Sequence, residues 1–265
     1  MSALVDDVPP KRTPPLRLSR ATRVSCAILP AQYSQKPFRT TVMELEAKFR
    51  VDDDQPFDEL RALTALGPFR LVLEPTPEDQ RNTYFDTADD RLRTQRYGLR
   101  IRDLGDRRIA TLKGASSARE GVYERDEWEV VIGDDDRPAA WPPSEARERV
   151  LALLDGAPLQ PILTIRTTRQ HIYALRDDTR IAELSLDAGT ISAGGLTEAF
   201  RELEIELLAD GTRADFDALI ALLRERLPLV AEDRSKLARG LALLDRAAGH
   251  YSDSPSDVKH ADDGR

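Results

Sequence analysis

Glu44-Leu45-Glu46-Ala47-Lys48 opens the patterned part of this 265-residue chain, and its charges fall on every second residue. Two distant segments repeat the arrangement: Leu99-Arg100-Ile101-Arg102 and Glu202-Leu203-Glu204-Ile205-Glu206. Successive side chains on a β-strand point to opposite faces. Period two therefore sends the charges to one face and Leu45, Ala47, Ile101, Leu203 and Ile205 to the other. A sheet sorted in this way has one apolar side to bury and one ionised side. If the ionised side is the inside of a closed barrel, the result is a pocket for a highly charged ligand.

Composition narrows the partners. The chain has 39 Lys and Arg against 47 Asp and Glu, a net charge of −8, with a sequence pI near 5.1. That balance argues against general nucleic-acid or anionic-membrane binding, so any anion must be held by a local cluster. Cys26 is the single cysteine, which excludes an internal disulfide and a cysteine metal cage. No apolar run approaches the roughly 18 residues of a membrane span, and no secretory apolar core follows the N-terminus. A soluble, cytoplasmic protein with a small-molecule partner is expected, with no nucleic acid, no membrane and the oligomeric state left open.

Residues 1–40 carry Pro9, Pro10, Pro14, Pro15, Pro30 and Pro37 without a sustained period, and read as a disordered leader. The working protein is expected to start at or near Met43. Residues 249–265 are small and polar and read as a disordered tail, leaving one domain over residues 41–248.

Within that domain, strands are expected at 41–51, 69–74, 81–86, 97–104, 107–114, 121–132, 160–175, 180–187 and 198–208. Helices are expected at 56–66, 88–95, 144–155, 213–226 and 234–246. Strands follow one another through short turns, which predicts an α+β, mainly β fold: an antiparallel sheet with helices packed outside. Gly105-Asp106 suits a two-residue hairpin loop. Pairing Leu104 with Arg107 then sets Arg102 opposite Ile109, Arg100 opposite Thr111 and Gly98 opposite Lys113, so Arg100, Arg102 and Lys113 share a face. Three cations on one face call for an anion among them. Arg125, Glu127 and Glu129 share one face of the 121–132 strand, as Glu183 and Asp187 do in 180–187. Arg166 and Arg169 share a face only if a bulge lies between them. The domain otherwise takes its positive charge from arginine: residues 41–245 hold 26 arginines but only Lys48, Lys113 and Lys236 as lysines. His171, His250 and His260 read as packing, surface or tail residues.

Glu44-x-Glu46-x-Lys48, Thr83-Tyr-Phe-Asp86-Thr87, Leu99-Arg100-Ile-Arg102, Thr111-Leu-Lys113-Gly, Glu204-x-Glu206 and Ser235-Lys236, in that order, resemble the CYTH domain of the triphosphate tunnel metalloenzyme superfamily. The resemblance covers about residues 41–245. It implies an eight-stranded antiparallel β-barrel tunnel with a charged lumen, and hydrolysis of a triphosphate with Mg²⁺ or Mn²⁺. Carried over by position, it implies Glu44, Glu46, Asp187, Glu204 and Glu206 as metal carboxylates, and Arg100, Arg102, Lys113, Arg166, Arg169 and Lys236 as substrate-binding cations. Lys48, Glu127 and Glu129 would then be catalytic. Hard oxygen ligands suit Mg²⁺ or Mn²⁺, which neutralise developing charge in phosphoryl transfer. The expected reaction is cleavage of inorganic tripolyphosphate, or a related triphosphate, to pyrophosphate and phosphate. A class IV-type adenylate cyclase and a non-catalytic polyphosphate-binding module are the alternatives.

Overall fold

The structure is a computed structural model that describes residues 42–114, 117–119 and 122–252. The expected leader, and the expected tail beyond residue 252, lie outside the described residues. The strands are β1 (Val42–Arg50), β2 (Ala65–Leu66), β3 (Phe69–Leu73), β4 (Glu78–Asp86), β5 (Gly98–Asp103), β6 (Arg108–Lys113), β7 (Ser117–Arg119), β8 (Val122–Ile132), β9 (Gln160–Arg176), β10 (Thr179–Ala193), β11 (Leu196–Leu207) and β12 (Val230–Ala231). The α-helices are α1 (Gln55–Ala62), α2 (Arg91–Thr94), α3 (Glu145–Leu154), α4 (Arg213–Arg226) and α5 (Lys236–Ser252).

The ladders are antiparallel and follow the order β10-β11-β1-β8-β6-β5-β4-β9-β3-β2. β9 also pairs with β10, so ladders link eight long strands in succession. β3 and β2 run on past β9, while β12 and β7 add to β1 and β8. The α+β, mainly β class holds, and the short strands β2, β3, β7 and β12 extend the sheet beyond the eight strands expected from the sequence. The inner, ionised face of the eight long strands is called the lumen below.

Turn chemistry sets the register. Leu104 N–H donates to the Arg107 carbonyl at 3.0 Å, and Gly105 has φ +88°, which an L side chain rarely adopts. Gly98↔Lys113, Arg100↔Thr111 and Arg102↔Ile109 follow as expected. β10 runs on to Ala193 rather than ending at 187, because it is paired along this stretch by both β9 and β11. The small residues Ala188-Gly-Thr-Ile-Ser-Ala193 carry no charge alternation to reveal it.

Two helical layers cover the outer apolar faces. α1 and α4 bring Phe57, Leu60, Phe216 and Leu219 onto Phe49, Leu184, Leu203 and Ile205. α3 brings Val150 and Leu154 onto Leu99, Leu112, Trp128 and Val130. Local capping fixes these helices: the Ser144 hydroxyl accepts from Arg147 N–H, and Thr212 with Asp215 forms a capping box. Asp86, inside the Thr83–Thr87 motif, is buried and accepts from the Thr87, Leu92 and Arg93 amides at 2.7–2.9 Å. This motif therefore orders α2.

α5 departs from the expectation of helices packed outside. Its Leu237, Leu241, Leu243 and Leu244 meet Leu163, Ile165, Ile191, Ala193 and Phe200. Ile191 and Ala193 stand on the same face of β10 as Asp187, and Phe200 on the same face of β11 as Glu202 and Glu204. α5 thus packs on the apolar end of the ionised face, where the strand pattern changes from charged to aliphatic.

Candidate active site

Period two in β1, β10 and β11 gathers carboxylates on one wall of the lumen. β11 lies between β1 and β10, so Glu46 faces Glu206 and Glu206 faces Glu183, while Lys48 faces Glu204 and Glu204 faces Ser185. Arg169 on β9 donates Nε and one terminal nitrogen to Asp187, both at 2.7 Å, and that terminal nitrogen also donates to Glu204 at 2.6 Å. Lys236, at the start of α5, brings Nζ to 2.6 Å from Glu202, 2.6 Å from Glu204 and 3.1 Å from Asp187. Lys48 Nζ lies 3.1 Å from Glu46 and 3.3 Å from Glu204.

These groups hold one another ionised. Burial pushes the Asp187 and Glu204 carboxyls up, but Arg169 and Lys236 more than reverse this, and Lys48 adds to the effect at Glu204. Asp187 ends below the usual carboxylate range and Glu204 well below it. Burial likewise works against charge on Lys236 and Arg169. The carboxylates Glu202, Glu204 and Asp187 hold Lys236 well above an ordinary lysine, and Asp187 and Glu204 do the same for Arg169.

The opposite wall is short of carboxylates. Arg100 donates to the Thr111 hydroxyl at 3.1 Å and stands 3.8 Å from Glu129, and among the described residues its buried Nε has no acceptor. Arg102 donates Nε to the Asn82 side-chain oxygen at 2.9 Å. Burial, then repulsion from Arg100 and Arg169, lowers the Arg102 pKa to about 10. Thr111 in turn donates to Glu129 at 2.9 Å, and Lys113 pairs directly with Glu127.

The structure thus brings together Glu46, Lys48, Asp187, Glu204, Arg169 and Lys236, and groups Arg100, Arg102, Lys113, Glu127 and Glu129 on neighbouring strands. Glu206 holds its register place beside Glu46, while the Glu44 side chain lies outside the described residues. Arg166 does not join them. β9 runs past it without a bulge, so Arg166 stands on the outer face, exposed, with Arg169 on the inner one.

Several further side chains border this cluster without a motif to mark them. Arg239, one turn after Lys236, donates to Glu202 at 2.5 Å and to Glu198 at 2.6 Å. The i,i+3 spacing from Lys236 was the available signal. His171, set aside as packing, shares the Arg169 face at i+2, and its Nδ1 meets Glu183 at 2.8 Å. Asn82 and Ser185 are uncharged and carried no signal beyond their strand parity.

Residues 43–241 match the family profile of the CYTH domain. An inorganic triphosphatase from Haemophilus influenzae is 30% identical over 165 residues, which are 61% of this chain and 45% of that protein. The chain thus spans less than half the length of that curated relative. A Hippeastrum protein proposed as an adenylyl cyclase, whose structure was described with a dominant triphosphatase activity, superposes with a TM-score of 0.50 at 20% identity. That match covers 76% of this chain and 97% of the other. A structure from Pyrococcus horikoshii gives 0.48 at 23% identity, over 76% and 99%. The profile match takes in all eight long lumen strands except the first residue of β1, and on it this chain belongs to the CYTH domain family.

Proposed function

We propose that this protein hydrolyses inorganic tripolyphosphate, or a related triphosphate, to pyrophosphate and phosphate in its charged lumen with Mg²⁺ or Mn²⁺. The observation that carries the reading is the arginine wall. A buried Arg100 Nε without an acceptor among the described residues, beside an Arg102 whose charge is opposed by burial and by two further guanidiniums, is a site short of an oxyanion. A chain of phosphates supplies oxygens for Arg100, Arg102 and Lys113 together, and guanidinium forks suit phosphate geometry. The triphosphatase relative supports the same chemistry.

Among the described residues, no three carboxylate or imidazole groups already converge as a metal cage. The donor set nevertheless fits a hard divalent cation: it is carboxylate oxygen, and Glu46 and Glu204 already share one cation, the Lys48 ammonium. Glu44, Glu46, Asp187, Glu204 and Glu206 would hold the metal. When bound, it supplies neutralisation of phosphate charge and Lewis-acid polarisation. The chain's own residues bind and orient the substrate: Arg100, Arg102, Lys113, Arg169 and Lys236 hold its oxygens, and Lys48 adds charge next to them. Glu127 orients Lys113. Glu129, half exposed and anchored by Thr111, takes the proton of the attacking water. The water oxygen bonds to a terminal phosphorus, the bridging P–O bond breaks, and pyrophosphate leaves.

The test is phosphate release from tripolyphosphate, ATP and thiamine triphosphate with Mg²⁺, Mn²⁺ or EDTA. Tripolyphosphate turnover that EDTA abolishes, and that Arg100→Ala lowers roughly 100-fold or more in a folded variant, is expected. Tight binding without turnover of any of the three would overturn the reading in favour of a polyphosphate-binding module.

A further inference from the structure

Arg166, expected in the lumen, stands outside it and directly opposite Arg81 across the β4–β9 ladder. Like charges placed opposite one another on paired strands repel, with Cβ atoms roughly 5 Å apart. Both side chains are exposed, and among the described residues neither guanidinium has an ion-pair partner. The nearby carboxylates are turned to other donors: Asp103 accepts from the Gly105 amide at 2.9 Å, and Asp79 accepts from the Thr168 hydroxyl at 2.7 Å. Arg81, Arg166, Thr168 and Thr190 line a groove of about 520 Å³ on the outer face, together with the carboxylates Asp79 and Asp103, the latter directly opposite Arg81 on β5. Gly189 forms part of its wall, where a Cβ would lie 2.0 Å from the Arg166 carbonyl oxygen.

We propose that Arg81 and Arg166 form a second oxyanion site, outside the lumen, for a phosphate-type anion gripped between two guanidinium forks. The Thr190 hydroxyl flanks the forks and adds a donor, while the Thr168 hydroxyl is already committed to Asp79. This site is separate from the proposed catalytic one and differs from it in one measurable respect: it contains none of the proposed metal carboxylates, so its occupancy needs no divalent cation. Free phosphate or pyrophosphate and a unit of a longer phosphate chain share the required chemistry.

The experiment is calorimetric titration of the full chain with pyrophosphate in EDTA at low ionic strength. One equivalent is expected to bind, at least 10-fold more weakly in the Arg81→Glu/Arg166→Glu variant and unchanged in Arg102→Met. If the reversed charges prevent folding, Arg81→Gln/Arg166→Gln replaces them with the same expectation. Repetition with orthophosphate and with long-chain polyphosphate identifies the source: competition by orthophosphate indicates the free ion, and tighter binding of the long chain without competition by orthophosphate indicates a chain unit. No binding in EDTA, or binding lost in Arg102→Met and retained in the outer-face variant, overturns the proposal. Turnover of tripolyphosphate is read separately, so failure of the lumen reading leaves this result standing.

Discussion

Replacing Arg102 by Met should make the ligand-free protein more stable while disabling it. The Arg102 pKa of about 10, against an ordinary value of 12.5, means that the folded environment opposes its charge by about 2.5 pKa units. At 1.36 kcal/mol per unit this is about 3 kcal/mol, a ceiling because Arg102 is only partly covered from solvent. Methionine keeps most of the length and removes the charge. The hydrogen bond to Asn82 is lost, which takes back about 1 kcal/mol. A net gain of about 1–2 kcal/mol is expected in urea denaturation without phosphate and with EDTA. Tripolyphosphate turnover should fall by roughly 100-fold or more, as for loss of one charge-stabilising donor. Added tripolyphosphate and Mg²⁺ should then stabilise the wild type more than the variant. An Arg102→Met protein less stable than wild type, or one with undiminished turnover, would refute the argument that this arginine is held ready for an anion.

Gly189→Ala places a Cβ 2.0 Å from the Arg166 carbonyl oxygen, a backbone atom with little freedom to move, and should destabilise by about 3 kcal/mol. Gly133→Ala meets nothing within 4 Å and should change the urea midpoint little. Equal midpoints for the two would sink the close-approach reading. Asp187 and Glu204 have native pKa values below their ordinary 3.8 and 4.5, so their contribution to stability is present above those ordinary values. It is lost as pH falls through the depressed native values. Stability from this pair should therefore hold between about pH 8 and 5 and decline below about pH 4. A urea midpoint unchanged between pH 5 and 2 would contradict the assignment.

What was legible in the sequence follows parity. The Gly105-Asp106 turn and the two-residue alternation were sufficient to put Arg100, Arg102 and Lys113 on one face, because pairing register leaves no freedom once the turn is set. The same parity argued against Arg166, three residues from Arg169, and resemblance to a motif could not supply the missing bulge. The position of α5 was not legible. Its leucine stripe shows that it must bury one side, but not that the acceptor is the aliphatic end of the lumen. That depends on β10 continuing through residues 188–193, a stretch of small side chains with no pattern to read. The pairing of cations with carboxylates was equally hidden, since contacts such as Lys236 with Glu202 and Glu204 join residues more than thirty positions apart.

On the proposed function, the internal pairing of Lys236, Arg169 and Lys48 with Glu202, Glu204, Asp187 and Glu46 couples the binding of the anion to that of the metal. An anion arriving alone takes these cations and strands buried carboxylates; a metal arriving alone takes the carboxylates and strands buried ammonium and guanidinium groups. Either guest by itself meets the desolvation penalty of an uncompensated charge. Both together leave every charge matched. If the lumen takes a triphosphate and a divalent cation as proposed, it is a coincidence detector, in which each guest raises the affinity for the other by the same factor.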